Sequence, residues 1–341
     1  MADKTDEFVF PDPGVPRIPV DRIANIDSEE ARRYIETSRP FVTKVDWPVT
    51  RWTPDYLREK IGQTPVALTK RNRERVQGTT SQLLDLIDNQ REASKEWVMH
   101  NYPLIKLWGY GVGPMPGMKE LLEEVPLPSY IRPDNTHEMY VWAKNLGWYD
   151  NKSHCEPNAS ASLNLQILGK KHVWLFPPED AGRLGCAAPL EEMMGPPFFS
   201  ADQQRYAPSD EHPDYADVTC YEAILEPGDI IHIPSFWFHW FVHYNTYQMN
   251  YNVWFTPPYV QMSAIAGEWA FMNGLCLALG GWGVAAEKFA ELPRETQLLL
   301  NNIARTIVEN PAATQIWPWI VARRDAPKIV IPESAFTKED K

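Results

Sequence analysis

Hydrophobic and polar positions follow different rhythms in different parts of the chain. From Glu138 to Phe255, short aromatic and β-branched runs are separated by Gly, Pro and Asn, the pattern of an all-β barrel or sandwich. The predicted strands there are EMYVWAKNLG, ASLNLQIL, KHVWLFPP, TCYEAIL, DIIHIP and YQMNYNVWFTP. Upstream, Ser28 to Thr37 predicts a helix with Ser28 as its N-cap, and PFVTKV at Pro40 to Val45 a strand. Trp52 to Ile61 predicts a short helix closed by Gly62, PVALTK another strand, and Thr79 to Asn89 a third helix. Residues 259 to 310 turn helical, with Pro293 dividing two segments and Pro311 ending the second. No internal repeat is present.

This divides the chain into a lead-in at 1–15, a main domain at 16–258 with its β core at 138–258, a helical region at 259–325 and a tail at 326–341. With 341 residues and 44% hydrophobic content, one large domain is expected rather than two independent ones. Cys155, Cys186, Cys220 and Cys276 form no CxxC pair, and the opening MADKTDEF is polar and acidic, so a reducing cytoplasmic compartment is expected, or a nuclear one in a eukaryote. A net charge of -12 argues against a general grip on nucleic acid. The longest uncharged run, Trp269 to Ala286, is interrupted by Asn273, Gly280, Gly281 and Gly283, and reads as a buried or interface helix, not a membrane span. Pro177 to Glu222 is a proline-bearing insertion with ten acidic residues against Arg183 and Arg205, either a functional lid or a solvated loop.

Chemistry enters at KSHCEP. His154 and Glu156 are two residues apart, so on a strand they share one face and can take adjacent corners of a metal ion. Downstream, LEPGDIIHIPSFWFHWFVH combines a PGD turn, an apolar strand and His239 in aromatic surroundings, where an imidazole needs a partner. His232, inside the strand, and His243, beyond the aromatic cluster, are rivals that read as structural. His154, Glu156 and His239 together make a two-histidine, one-carboxylate facial triad, the set suited to non-haem Fe(II) and O2.

The order His-x-Glu, LNLQILGKKHVWLFPP, EPGDIIHIPSFWFHW resembles the JmjC and cupin-like Fe(II)- and 2-oxoglutarate-dependent oxygenases, a family that includes an asparaginyl hydroxylase acting on hypoxia-inducible factor. RIPVDRI, PFVTKVDW and RWTPDYLREKIG are similar to the lead-in of cupin-like members. The resemblance implies a double-stranded β-helix, or jelly roll, with N-terminal α/β elements and C-terminal helices. It also implies Fe(II), 2-oxoglutarate as co-substrate, and O2. Within Gly169-Lys170-Lys171 it makes Lys171 the anchor of the far carboxylate of 2-oxoglutarate, with Lys170 as the alternative if the strand slips by one. It places Asn164 and Asn252 at the co-substrate pocket, where each could also be a satisfied buried amide. Asn151 stands where the family commonly has Thr, and Glu156 where aspartate is commoner.

The activity so implied is hydroxylation of a protein or peptide side chain coupled to decarboxylation of 2-oxoglutarate to succinate. A free amino acid or other small metabolite is the alternative substrate, N-methyl-lysine or N-methyl-arginine demethylation the alternative reaction, and a non-enzymatic cupin-like binding module the alternative class. The apolar surplus between about 260 and 320, including Ile303, Ile307, Ile316, Trp317, Trp319 and Ile320, predicts a homodimer through the C-terminal helices.

Overall fold

The computed structural model describes residues 12–97 except 73 and 94, 105–109, 113–114, 118–131, 136–145, 149–154, 161–180, 183–184, 213–255 except 245–246, and 293 and 295. The expectations for the C-terminal helices, the tail, most of the acidic insertion and Glu156 lie outside these residues.

The N-terminal third is a set of short capped elements. Strand β1 (Arg17–Pro19) leads to helix α1 (Glu29–Glu36), where the Ser28 hydroxyl accepts from the Ala31 amide at 3.1 Å and satisfies one unpaired donor of the first turn. Strand β2 (Phe41–Lys44) precedes helix α2 (Pro54–Ile61), which begins two residues after Trp52 because Thr53 caps it and Pro54 occupies its first turn. A hairpin of β3 (Pro65–Thr69) and β4 (Arg75–Thr79) then enters helix α3 (Thr80–Asp88) through a reciprocal capping box between Thr79 and Gln82. β4 was not among the expected strands; RVQGT carries one large apolar residue, Val76. Short elements follow: α4 (Gln90–Ala93), β5 (Ile105–Gly109), β6 (Gly113–Pro114) and α5 (Lys119–Glu123).

The remaining strands are β7 (Thr136–Lys144), β8 (Tyr149–His154), β9 (Ala161–Leu168), β10 (Lys171–Phe176), β11 (Cys220–Leu225), β12 (Asp229–Ile233), β13 (Phe238–His243) and β14 (Gln248–Phe255). They form a five-stranded sheet in the order β1-β11-β10-β13-β8 and a seven-stranded sheet in the order β2-β12-β9-β14-β7-β5-β6. The architecture is the mainly β jelly roll expected from the sequence.

Three apolar layers hold it together. On the helix side of the larger sheet, Val141, Leu163, Leu165, Met249, Tyr251 and Val253 pack with Ala31 and Ile35 of α1, Leu57 and Ile61 of α2, and Leu84 and Ile87 of α3. Between the sheets, Val42, Ile231 and Ile233 meet Val173, Leu175, Leu225 and Phe241. Beyond the smaller sheet, Trp174, Phe176, Phe238, Trp240 and Val242 lie under Val15, Leu184, Tyr215 and Val218. Central strands are therefore buried on both faces, at about 1.5–3 kcal/mol for each large apolar side chain removed from water. Double-sided burial erases period-2 alternation. For this reason FHWFVH was legible as aromatic surroundings and not as the strand β13.

Two glycine turns aim the strands that matter. In the PGD turn Gly228 has φ 89°, and the Asp229 carboxylate accepts the Glu226 amide at 3.0 Å and pairs with Arg22 at 3.1 Å. Between β9 and β10, Gly169 has φ 77°, and a Cβ there would collide with the Gln248 side chain and the Tyr247 carbonyl. Lys171 then begins β10 opposite His243 and is 1% exposed, whereas Lys170 stays on the outside with its ammonium 3.7 Å from Glu226. Gly169→Ala is expected to destabilise the fold by about 1–3 kcal/mol, from left-handed strain plus the clash. Denaturant unfolding checks this, and an unchanged midpoint would contradict it.

Candidate functional site

Strand parity sets which side chains meet between the sheets. On β13, Phe238, Trp240 and Val242 belong to the outer layer, so His239, Phe241 and His243 turn inward. His239 is buried, and its Nδ1 lies 3.1 Å from the Trp237 carbonyl oxygen. A carbonyl only accepts, so Nδ1 carries the proton and Nε2 the lone pair, the tautomer required of a metal ligand. The preceding turn contains Phe236, fully buried at φ 64°, a left-handed conformation rare for a bulky residue.

Across the smaller sheet, register puts Tyr221 opposite Leu175, Leu175 opposite His239 and His239 opposite His154. One row thus contains both predicted histidine positions. Next along, Phe241 pairs with Asn151, so three residues of β8 are matched to two of β13 by a bulge. The bulge brings Asn151 to the row beside His154 despite their odd separation. The side chains of His154 and Asn151, and Glu156 altogether, lie outside the described residues, among which no group of three or more His, Cys, Asp or Glu converges.

His232 belongs elsewhere. Its neighbours Ile231 and Ile233 face the space between the sheets, whereas His232 stacks on Phe41 at 5.2 Å in the helix-side layer and places Nδ1 3.0 Å from the Arg39 carbonyl. Burial pushes its pKa down to about 4, so it is neutral at physiological pH.

One same-face step from His239, a polar chain crosses the interior. The Lys171 ammonium donates to Asn164 Oδ1, Asn164 Nδ2 lies 2.5 Å from Asn252 Oδ1, and Asn250 Nδ2 lies 2.6 Å from the same oxygen. Asn164 and Asn252 are directly opposed on β9 and β14, which explains how residues 88 apart come to share a bond. The ammonium sits 4.7 Å from the centre of the Phe241 ring, and the His239 ring centre lies 5.3 Å from the same ring. Lysine and histidine therefore both approach one aromatic ring.

Lys171 forms no ion pair with a carboxylate among the described residues, and burial together with nearby Lys144 holds its pKa well below the ordinary lysine value. A buried ammonium of this kind calls for an anion. His243 pairs in register with Lys171, and burial plus both lysines depress its pKa. Lys144, Gln166, Gln248 and Asn250 are not among the candidates that the sequence offers. Period-2 counting along 138–147 puts Lys144 on the face opposite Val141 and Ala143, and only the tertiary structure identifies that face as the one turned away from the helices.

A cleft of about 400 Å3 is lined by Pro19, Arg39, Pro177, Glu179, Tyr221 and Trp237 among others, and not by His239 or Lys171. Tyr221 and Trp237 rings are 5.4 Å apart. Tyr221 shares the His239 row, and Trp237 both lines the cleft and holds the His239 tautomer.

Comparison with known proteins agrees with this geometry. A family profile described as a cupin-like domain matches residues 27–261. The zebrafish tRNA wybutosine-synthesizing protein 5 is 32% identical over 123 residues, 35% of this chain and 33% of that protein. Lysine-specific demethylase JMJ21 of Arabidopsis thaliana is 23% identical over 238 residues, 64% of this chain but 23% of that protein. JmjC domain-containing protein A of Dictyostelium discoideum is 25% identical over 236 residues, 65% of this chain and 89% of that protein. The matches thus span a third or less of the first two relatives. With a jelly roll of this topology and a family match over more than half its length, the chain belongs to the cupin-like domain family, alongside JmjC-domain proteins.

Proposed function

We propose that the protein is an Fe(II)- and 2-oxoglutarate-dependent dioxygenase that hydroxylates a protein or peptide side chain. The observation that carries this reading is that one ring, Phe241, lies 4.7 Å from the buried Lys171 ammonium and 5.3 Å from the ring of His239, which is held in its ligating tautomer. A five-carbon 2-oxo diacid has its chelating end and its far carboxylate separated in the same sense. His239, His154 and Glu156 would hold the iron, leaving three positions open. When bound, the iron supplies activation of O2 coupled to conversion of 2-oxoglutarate to succinate.

The chain's own residues perform the positioning. Lys171 holds the far carboxylate through charge-assisted bonds, and Asn164 with Asn252 fixes where that ammonium points. The Trp237 carbonyl keeps a proton on Nδ1 of His239 and off Nε2. Asn151 adds a hydrogen-bonding group in the next row. The cleft lined by Tyr221 and Trp237 would receive the substrate, and Trp237, whose carbonyl bonds His239, links it to the histidine.

Although one relative's name concerns tRNA, the net charge of -12 favours a protein or peptide substrate here over nucleic acid. A cytoplasmic location, no membrane association and a homodimer through residues 260–320 complete the proposal.

The test is succinate formation by the full chain with Fe(II), O2 and 2-oxoglutarate, screened against peptide and metabolite pools by mass spectrometry. Fe(II)-dependent succinate with an added oxygen on a peptide is expected. Oxygen addition confined to metabolites would move the substrate class, and formaldehyde release would move the reaction to N-methyl demethylation. No Fe(II)-dependent turnover under any condition would leave a non-enzymatic binding module.

A further inference from the structure

We propose that Asn250 is a positioning residue for the co-substrate, acting through Asn252: it locks the Asn252 carboxamide with its oxygen inside the interior amide chain and its NH2 group toward the far carboxylate. This rests on the reading above and extends it to a residue that is not among the candidates the sequence offers.

The polarity of the chain follows from its first member. An ammonium only donates, so the Asn164 atom it meets is the carbonyl oxygen. That leaves the Asn164 NH2 group facing Asn252, where it needs an acceptor and meets Oδ1 at 2.5 Å. Asn250 Nδ2 reaches the same Asn252 oxygen at 2.6 Å. Each carboxamide is thus oriented by the one before it, starting from a group that cannot be reversed.

Strand geometry reserves Asn250 for this bond. Met249, Tyr251 and Val253 belong to the helix-side layer, so Asn250 and Asn252, two apart on β14, both turn inward. Gln166 faces Asn250 in register, but its amide hydrogens go to the Leu168 carbonyl at 2.6 Å and to Gln248 Oε1 at 2.8 Å. It therefore does not compete for the Asn252 oxygen.

With two donors on its oxygen, Asn252 has both lone pairs engaged, and what it has left to offer is N–H. Lys171, Asn164 and Asn250 are buried, whereas Asn252 is half-buried. The accessible member of the chain is the one whose donor end is turned out of it. A carboxylate has two oxygens: the Lys171 ammonium takes one, and the Asn252 NH2 group, two hydrogen bonds away along the chain, takes the other.

The experiment is calorimetry of 2-oxoglutarate binding to the Zn(II)-loaded full chain, with hydrogen exchange of the Asn252 side-chain amide followed by NMR. In the parent, exchange at the Asn252 NH2 group is expected to slow when 2-oxoglutarate binds. Asn250→Ala is expected to bind about threefold to tenfold more weakly, the loss of one neutral hydrogen bond, with Zn(II) affinity unchanged and the slowing of exchange largely lost. Asn250→Asp keeps the shape of asparagine but presents only acceptors to the Asn252 oxygen, and is expected to bind more weakly than Asn250→Ala. Binding of 2-oxobutyrate, which lacks the far carboxylate, is expected to be the same in parent and Asn250→Ala. Parent-like affinity in Asn250→Ala, or tighter binding by Asn250→Asp than by Asn250→Ala as packing shape alone would give, would overturn the Asn250 assignment and leave the dioxygenase reading standing. An equal loss for both 2-oxo acids would overturn it as well, by showing general damage. Unchanged exchange at Asn252 in a parent that binds 2-oxoglutarate would overturn it without recourse to any variant. A parent that binds no 2-oxoglutarate would bring down both.

Discussion

His239→Ala is expected to reduce 2-oxoglutarate turnover to background and to weaken Fe(II) binding sharply. With only three protein ligands, losing one removes a third of the coordination that the chain supplies, and the remaining pair cannot hold a facial arrangement. His154→Ala and Glu156→Ala are expected to do the same. His232→Ala is the informative contrast, because His232 lies in the helix-side layer against Phe41; it should lose stability and, where folded, keep metal affinity. Metal titration alongside near-ultraviolet circular dichroism separates these outcomes. Parent-like metal binding in all three ligand variants would show that the metal position is elsewhere.

Lys171→Ala is expected to raise the 2-oxoglutarate concentration needed for half-maximal turnover by about tenfold to a hundredfold, the range for losing a charge-assisted hydrogen bond. Metal affinity should change little, since the ammonium reaches Phe241 and Asn164, one same-face step short of His239. Lys170→Ala should leave the requirement unaltered, because Lys170 is outside the barrel beside Glu226. A large effect in Lys170→Ala with none in Lys171→Ala would show that Lys170 is the anchor.

The pattern of these expectations reflects how the fold assembles its interior. The polar groups come in separate blocks of sequence: Lys144 on β7, Asn164 and Gln166 on β9, Lys171 on β10, His239 and His243 on β13, Asn250 and Asn252 on β14. Each occupies an inward position by strand alternation, and none is adjacent in sequence to the partner it meets. Such a site is supported by packing on both sheets, which restricts the rotamers of the groups lining it.

Much of the fold is legible in the sequence. The cap at Ser28 is a local bond between residues three apart, so its residue type announces the helix start; Thr53 and Thr79 make the same bond and move the expected starts of their helices from Trp52 to Pro54 and from Thr79 to Thr80. Strands β9, β10, β12 and β14 could be read from apolar runs bounded by turn residues. The ordered motifs around His154, Lys171 and His239 carried the family resemblance, because they are short contiguous stretches. What only the tertiary structure decided is face and register. FHWFVH has no alternation to read because both its faces are covered, and whether His232 or His239 enters the interior depends on parities set by neighbouring strands. That Lys171 is buried while Lys170 stays outside follows from the left-handed Gly169 turn and the pairing of Lys171 with His243, and the meeting of Asn164 with Asn252 from an interstrand register 88 residues apart. Local chemistry is written in neighbouring residues, whereas side-chain convergence between sheets is a property of long-range pairing, which no local stretch of sequence encodes.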